Sequence, residues 1–309
     1  MKFIGNTRFS IYDPTSTSWR LSRSVGRSND EAYRRKLYSE ERMSSREDIF
    51  FNYSLPILDQ AKGQHDLIHV VSYSEELPDR YQDELHAAED RYDWLLLDRR
   101  TQANRKGTKL ETLAKQYFCS GDIFAEFRLD DDDIVSKDYF ESLAQYLHDP
   151  FVGYCVSHGL GIQAYYESGR FLAPRLEHRP KIAIGLARIC KIDGKRIIAP
   201  GKAPHPMIDR ECPVVVDSRS ITFLHSLHLS QDSGEDKPDR DLANRFRNYL
   251  KQDPPESNAY QSLFPGVRFG GDLSGSQKLK AVAKTHGNSH TLSSLLKKTL
   301  EYCRPLRIK

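Results

Sequence analysis

Cysteine is scarce: Cys119, Cys155, Cys190, Cys212 and Cys303 are the five in 309 residues, odd in number and never spaced as Cys-x-x-Cys. That spacing speaks against a zinc site and against a disulfide framework, and fits reduced thiols in a cytoplasmic protein. Long apolar runs are missing too. No stretch approaches the ~20 residues of a spanning helix, and the start "MKFIGNTRFSIY" lacks the apolar core of a signal peptide. The chain has no Gly-x-x-x-x-Gly-Lys-Ser/Thr loop, which excludes a P-loop kinase, and no Gly-x-Ser-x-Gly elbow, which weakens a hydrolase reading. Nor does one sign of charge dominate. With 46 basic against 43 acidic residues the net charge is +3, too mild to point to a nucleic-acid partner.

What is present reads as globular. Apolar residues make up 38% and aromatic residues 10%, enough to bury a core, and the length suits one large α/β domain with additions or two small ones. "KFIGNTRFSIY" alternates as a strand, and residues 14–46, rich in Ser, Arg and Glu, read as an exposed insertion with a short helix. "SREDIFFNYSLPILDQAKG" has helical spacing with a kink expected at Pro56. "DLIHVVSYS" and "DWLLLDRR" are strands of the nearly continuous apolar kind found inside parallel sheets, with a polar helix between them. "TKLETLAKQYFCSG" is an amphipathic helix carrying Leu110, Leu113, Ala114 and Tyr117 on one face, and "DIFAEFRL" is a further strand. Strands alternating with helices predict a doubly wound α/β sheet. Beyond it, "SKDYFESLAQYLHD" reads as a helix capped by Ser136, "FVGYCVSHGLGIQAYY" as a strand pair around a glycine turn, 171–212 as loop, and "CPVVVDSRSITFLHSLHL" as two short strands.

Asp130 to Asp133 stand directly behind the strand "DIFAEFRL". Ligands of open α/β sheets bind at the carboxyl ends of the strands, so the position fits a site. Adjacent carboxylates repel, and a divalent cation relieves that repulsion while offering a hard acceptor for oxygen ligands. A Mg²⁺ or Mn²⁺ held by one or two carboxylates completes its shell with water and phosphate, so the expected ligand is a metal-bridged phosphate or diphosphate. The plain alternative is a solvated acidic face, or charges favouring the start of a following helix. Arg8 and Arg128, at strand ends, are candidates for diphosphate contact, since guanidinium groups match phosphate oxygens; Arg128 serves equally as counter-ion to the aspartates. Ser72 ends its strand, where it is a candidate to face the nucleotide base, although serine is equally ordinary at a strand terminus.

"RLDDDD" followed by "IVSKDYF" resembles the segment "TRLDNDDALHPDFV" of the bacterial putative rhamnosyltransferase family, as do "TRFSIY" and "FFNYSLPILDQAKGQHDLIHVVSYSEELP" and, more weakly, "HSLHLSQDSG". The likeness spans roughly residues 6–235 and departs from the family at Phe127 and at the Gln-Asp of the last element. It implies a GT-A-like mixed α/β sheet flanked by helices over 1–235, with 14–46 inserted and 236–309 a polar, partly helical extension. It further implies a glycosyltransferase moving a sugar from a nucleotide-sugar donor to a saccharide or lipid-linked saccharide. Under that resemblance Asp130 contacts the ribose or the metal, Asp132 is the principal ligand of Mn²⁺ or Mg²⁺, and His228, with His225 as runner-up, supplies the third ligand. Asp133 orients the acceptor or a metal-bound water.

A base for the acceptor hydroxyl is sought among the later carboxylates Asp209, Asp217 and Asp232, with a lean to Asp232. A nucleotidyltransferase could use the same carboxylate–metal–phosphate arrangement, and an acidic binding module would use it without turnover. The basic tail ending "SSLLKKTLEYCRPLRIK" suits either a soluble helix or peripheral contact with an anionic membrane face.

Overall fold

The structure, a computed structural model, describes residues 1–14, 30–228, 246, 248–275 and 277. β1 (Lys2–Arg8) is the central strand, flanked in parallel by β2 (Asp66–Ser74) and β4 (Ile123–Arg128), and β2 pairs in parallel with β3 (Leu95–Arg100). The order β3-β2-β1-β4 reverses direction between β1 and β4. The expected doubly wound α/β core is therefore present, and its topological switch point lies at the carboxyl ends of those two strands.

Beyond β4 the sheet turns mixed. β6 (Cys155–His158) and β9 (Ala187–Asp193) join antiparallel to each other, β9 runs antiparallel to β4, and β11 (Val214–Asp217) closes the edge. Short β10 (Arg196–Ile198) hangs on β9. A second sheet of four strands has the order β5 (Asp133–Val135), β12 (Phe223–Leu227), β7 (Leu160–Glu167), β8 (Arg170–His178).

Both faces of β1 are buried, as its central place requires. Phe3 joins the large core with α3 (Leu55–Lys62), α4 (Asp79–Arg91) and α6 (Tyr139–Ala144), while Ile4 meets Ala114 of α5 (Leu110–Tyr117) on the other side. A Cβ on Gly5 would come within 2.2 Å of His69 Nδ1 and 2.5 Å of Phe127, so only glycine fits between these neighbouring side chains.

Several elements differ from the sequence reading. Residues 30–46 are not an exposed insertion: α1 (Asp30–Leu37) and α2 (Glu40–Ile49) bury Tyr33, Leu37 and Met43, and residues 15–29 lie outside the described residues. The kink expected at Pro56 takes the form of a π turn, Phe50–Ser54, just before it, because proline cannot donate to the carbonyl four residues back. That wide turn lets one helical run serve two cores, with Phe50 and Leu55 in the first and Ile49, Tyr53 and Ile57 under the small sheet.

Asp133 opens a strand, not a helix. The Ser136 amide continues that pairing to Thr222 O at 2.8 Å, and Asp138 is the N-cap of α6. β6 and β7 enter different sheets and form no hairpin. The proline-rich stretch 171–212 contains β8, β9 and β10; Pro174 is tolerated because β8 is an edge strand. Tyr117 is 48% exposed and leaves the buried face of α5 to Ala114. Among the described residues no helix is long and apolar enough to cross a membrane.

Candidate active site

The four aspartates line the switch point, and protein cations compensate three of them. Asp130 is partly exposed and takes both Arg128 Nε, at 2.8 Å, and Nη2, at 2.6 Å, on one oxygen. Asp131 is buried. Its Oδ2 accepts from the Ser10 amide at 3.0 Å and hydroxyl at 3.2 Å, and its Oδ1 from Arg46 Nη1. Asp132 Oδ2 receives Arg46 Nη2 at 3.0 Å and lies 3.2 Å from His228 Nε2. Ser10 sits at φ +44°, a strained conformation for a residue with a Cβ, and its two hydrogen bonds to Asp131 hold it there. Arg42 Nη1 donates to the Ser10 hydroxyl at 2.9 Å, so the loop after β1, helix α2 and the aspartate turn are tied into one unit.

The electrostatics separate these carboxyls. Burial opposes ionisation of Asp132, but Arg46 and His228 outweigh it and hold the group well below the usual carboxylate range. Burial drives Asp133 well above that range; Asp132, Asp130 and Glu177 add to the rise and Arg46 opposes it. Asp133 is 7% exposed. No described residue donates a hydrogen bond to its carboxylate. Burial also keeps His228 below the ordinary histidine value against the pull of Asp132, so its ring stays neutral near pH 7 and Nε2–H donates to Asp132. Among the described residues no three His, Cys, Asp or Glu side chains enclose a point as a ready-made cage for an ion.

Across the switch point the strand ends present arginines. Arg8 ends β1 level with Ser72 on β2, which is level with Asp98 on β3. Burial lowers the pKa of Arg8, and the charges of Arg128 and Arg100 lower it further while Asp130 opposes them, so three guanidinium groups stand within electrostatic reach of each other. Ser72 does not point at open space. Its hydroxyl donates to Asp98 Oδ2 at 3.0 Å and accepts from Arg100 Nη2 at 3.1 Å. Asp98 is buried and also takes the Thr108 amide, at 3.1 Å, and hydroxyl, at 2.9 Å, on Oδ1. Gly107, at φ +66°, permits that closure: a Cβ there would lie 2.3 Å from Asp98 Oδ2.

The remaining sequence candidates lie elsewhere. Asp217 ends β11, three strands and so about 14 Å from β4. Arg219 Nε, at 2.9 Å, and Nη2, at 2.8 Å, cap its two oxygens, Tyr146 donates at 2.9 Å, and the Arg219 bonds hold its carboxyl well below the ordinary value against its burial. Asp209 is exposed and paired with Lys181 at 2.7 Å. Asp232 lies outside the described residues. Sequence reasoning missed Arg46, Ser10, Asp98 and Arg100. Arg100 carried a legible signal, since charge at the end of an apolar strand is what singled out the aspartates. Arg46 carried none.

Comparison with known proteins adds the family. Residues 2–240 match the family described as putative rhamnosyl transferase. A search of curated proteins returns no match. Solved structures with a similar chain path include TarS of S. aureus, at 11% identity and TM-score 0.33, covering 95% of this chain and 45% of TarS. The inositol-1-phosphate CTP transferase of T. maritima is similar at 10% identity and TM-score 0.31, over 86% of this chain and 98% of that one. This chain thus spans less than half the length of TarS. The match over residues 2–240 covers both sheets and the whole aspartate–arginine cluster, and the chain, with the mixed α/β fold described above, therefore belongs to the putative rhamnosyl transferase family.

Proposed function

We propose that this protein transfers a sugar, in the first instance rhamnose, from a nucleoside diphosphate donor to a saccharide or lipid-linked saccharide acceptor. The observation that carries this reading is the meeting of Arg8, Arg100 and Arg128 with Asp130 at the carboxyl edge of the sheet, with Asp132 two residues on and bonded to Arg46 and His228. Guanidinium groups suit the oxygens of a diphosphate, and the charge they carry stabilises the nucleoside diphosphate as it departs. Arg100 is held in place by Ser72, and Arg128 by Asp130, so the cations are arranged before a ligand arrives.

The same reading includes a Mn²⁺ or Mg²⁺ ion. The donor set does not suit a closed protein cage, but it suits a cation that takes one or two carboxylates and completes its shell from phosphate and water. Asp132, with Asp130 and His228, would hold it, and Asp133, the one carboxyl of the four with no described cation bonded to it, stands beside them. When bound, such an ion adds Lewis-acid stabilisation of the leaving diphosphate. A cytoplasmic setting and peripheral membrane contact belong to this reading as well; the basic tail that suggests the contact lies outside the described residues.

The test is a panel of uridine, guanosine and deoxythymidine diphosphate sugars, with and without Mn²⁺, read by thermal shift and by product analysis. A ligand that binds only the folded state raises the melting temperature. Sugar transfer releases nucleoside diphosphate, nucleotidyl transfer exchanges pyrophosphate, and a non-catalytic module releases neither. A panel in which no nucleotide sugar stabilises the chain overturns the proposal.

A further inference from the structure

The small sheet carries a hydrogen-bonded acid–imidazole pair that the donor cluster does not use. His225 on β12 is opposite Asp133 on β5 and level with Gln163 on β7, and side chains at facing positions of neighbouring strands project from one face. From β8, Glu177 brings Oε2 to 2.8 Å from His225 Nδ1, and the Gln163 amide nitrogen lies 3.1 Å from the same Nδ1, so a ring proton there requires that amide to turn its carbonyl oxygen, the acceptor, inward. The Glu177 side chain is 6% exposed and that of His225 13%.

A carboxylate only accepts hydrogen bonds, so Nδ1 carries a proton, and in the neutral imidazole the lone pair is then on Nε2. No described residue bonds Nε2. Burial works against the charge on Glu177, and the bond to His225, with Arg179 behind it, outweighs burial and holds the carboxyl below its ordinary value. The pair adjoins the donor cluster. Asp132 lies within electrostatic reach of the His225 ring and Asp133 within that of Glu177, and Ser226, the next residue, donates to Asp132 O at 2.6 Å.

We infer that His225 Nε2 takes the proton from the acceptor hydroxyl, with Glu177 as the positioning residue that fixes the tautomer and faces the imidazolium that forms. This rests on the sugar-transfer reading above. The acceptor oxygen then attacks the anomeric carbon, its O–H bond electrons forming the new bond. The bond from that carbon to the diphosphate oxygen breaks, and its electron pair leaves with the nucleoside diphosphate. Among the described residues, the carboxylates considered from the sequence lack this arrangement: Asp217 is fully engaged with Arg219 and Tyr146, Asp209 is paired with Lys181, and Asp133 has no described donor to orient it, while Asp232 lies outside the described residues.

The experiment uses the full chain with deoxythymidine and uridine diphosphate rhamnose, and octyl rhamnoside or water as acceptor. Donor affinity is measured by calorimetry and turnover by nucleoside diphosphate release. His225→Gln and His225→Asn are expected to lower kcat by about 10²–10⁴-fold with the donor Kd within about twofold, the range for loss of a general base. Glu177→Gln is expected to lower kcat by about tenfold or more, and Glu177→Asp to recover part of it. A folded, donor-binding His225→Gln protein that turns over at the wild-type rate overturns the inference. So does a loss of donor affinity as large as the loss of turnover, which would assign His225 to donor binding. A wild-type chain that binds neither nucleotide sugar fails the underlying reading instead, a result visible without any variant.

Discussion

Arg46 and Asp132 form a buried ion pair at 3.0 Å, and the same guanidinium reaches Asp131 with its other terminal nitrogen. One helical arginine thus compensates two of the four adjacent carboxylates. Removing one partner of a buried pair leaves the other charge without compensation, at a cost of about 3–5 kcal/mol. Arg46→Met is expected to destabilise the protein by that amount in urea unfolding. Adding Asp131→Asn to it should return part of the loss, since one stranded charge goes with it. Strictly additive losses would show that Arg46 and Asp131 do not act as a pair.

Arg100 offers a sharper test of the donor site than the aspartates, because its side chain is anchored and is not among the residues that would hold the cation. Its Nη2 bonds Ser72, and Ser72 bonds Asp98. A hydrogen bond to a charged group contributes roughly 1.5–3 kcal/mol, so Arg100→Ala should weaken nucleoside diphosphate binding about 10–100-fold. Calorimetry with the diphosphate and with the uncharged nucleoside separates the effects: the diphosphate should lose affinity and the nucleoside should change little. Equal losses for both would remove Arg100 from the phosphate site.

The strand ends and their charges were readable from the chain, because apolar runs followed by charge are local features. Arg8, Ser72, Arg128 and the four aspartates were found in that way, and they do converge at the carboxyl edge of one sheet. Pairings between distant residues were not readable. Arg46 lies 85 residues from Asp131 and Glu177 lies 48 from His225, and no spacing rule connects them. β8, which carries Pro174, was hidden for another reason. Prolines signal loops locally, whereas an edge strand has no inter-strand partner for the missing amide.

Gly107 is where loop geometry meets the site. At φ +66° it occupies a backbone region that residues with a Cβ enter at a cost, and its added methyl would press on Asp98 Oδ2 at 2.3 Å and Arg100 Nε at 2.9 Å. Gly107→Ala is expected to lose at least about 1–2 kcal/mol of stability from the backbone alone. It should also displace Thr108 from Asp98 and free Arg100 from its set position. The expected result is a lower melting temperature together with weaker nucleoside diphosphate binding. A variant that loses stability with unchanged affinity would show that the Asp98–Thr108 contact does not position Arg100.

His69 supplies a dependence on pH away from the site. It is wholly buried on β2, with Nε2 at 2.8 Å from Thr7 Oγ1 and aromatic rings of Trp94 and Phe127 beside it. Burial pushes its pKa down to about 3 from the ordinary 6.5. Between those values the unfolded chain binds a proton that the folded chain does not, so stability rises with pH across that window and falls as acid is added below about 6.5. At about 1.36 kcal/mol per pH unit, this residue alone removes about 2 kcal/mol between pH 6.5 and 5. His69→Gln cannot titrate there, so whatever its stability at pH 7, it should lose about 2 kcal/mol less than the wild type on going from pH 7 to pH 5. Urea unfolding at the two pH values checks it. Parallel losses would mean that the imidazole gains its proton in the folded state as readily as in the unfolded one, which burial without a charged partner does not allow.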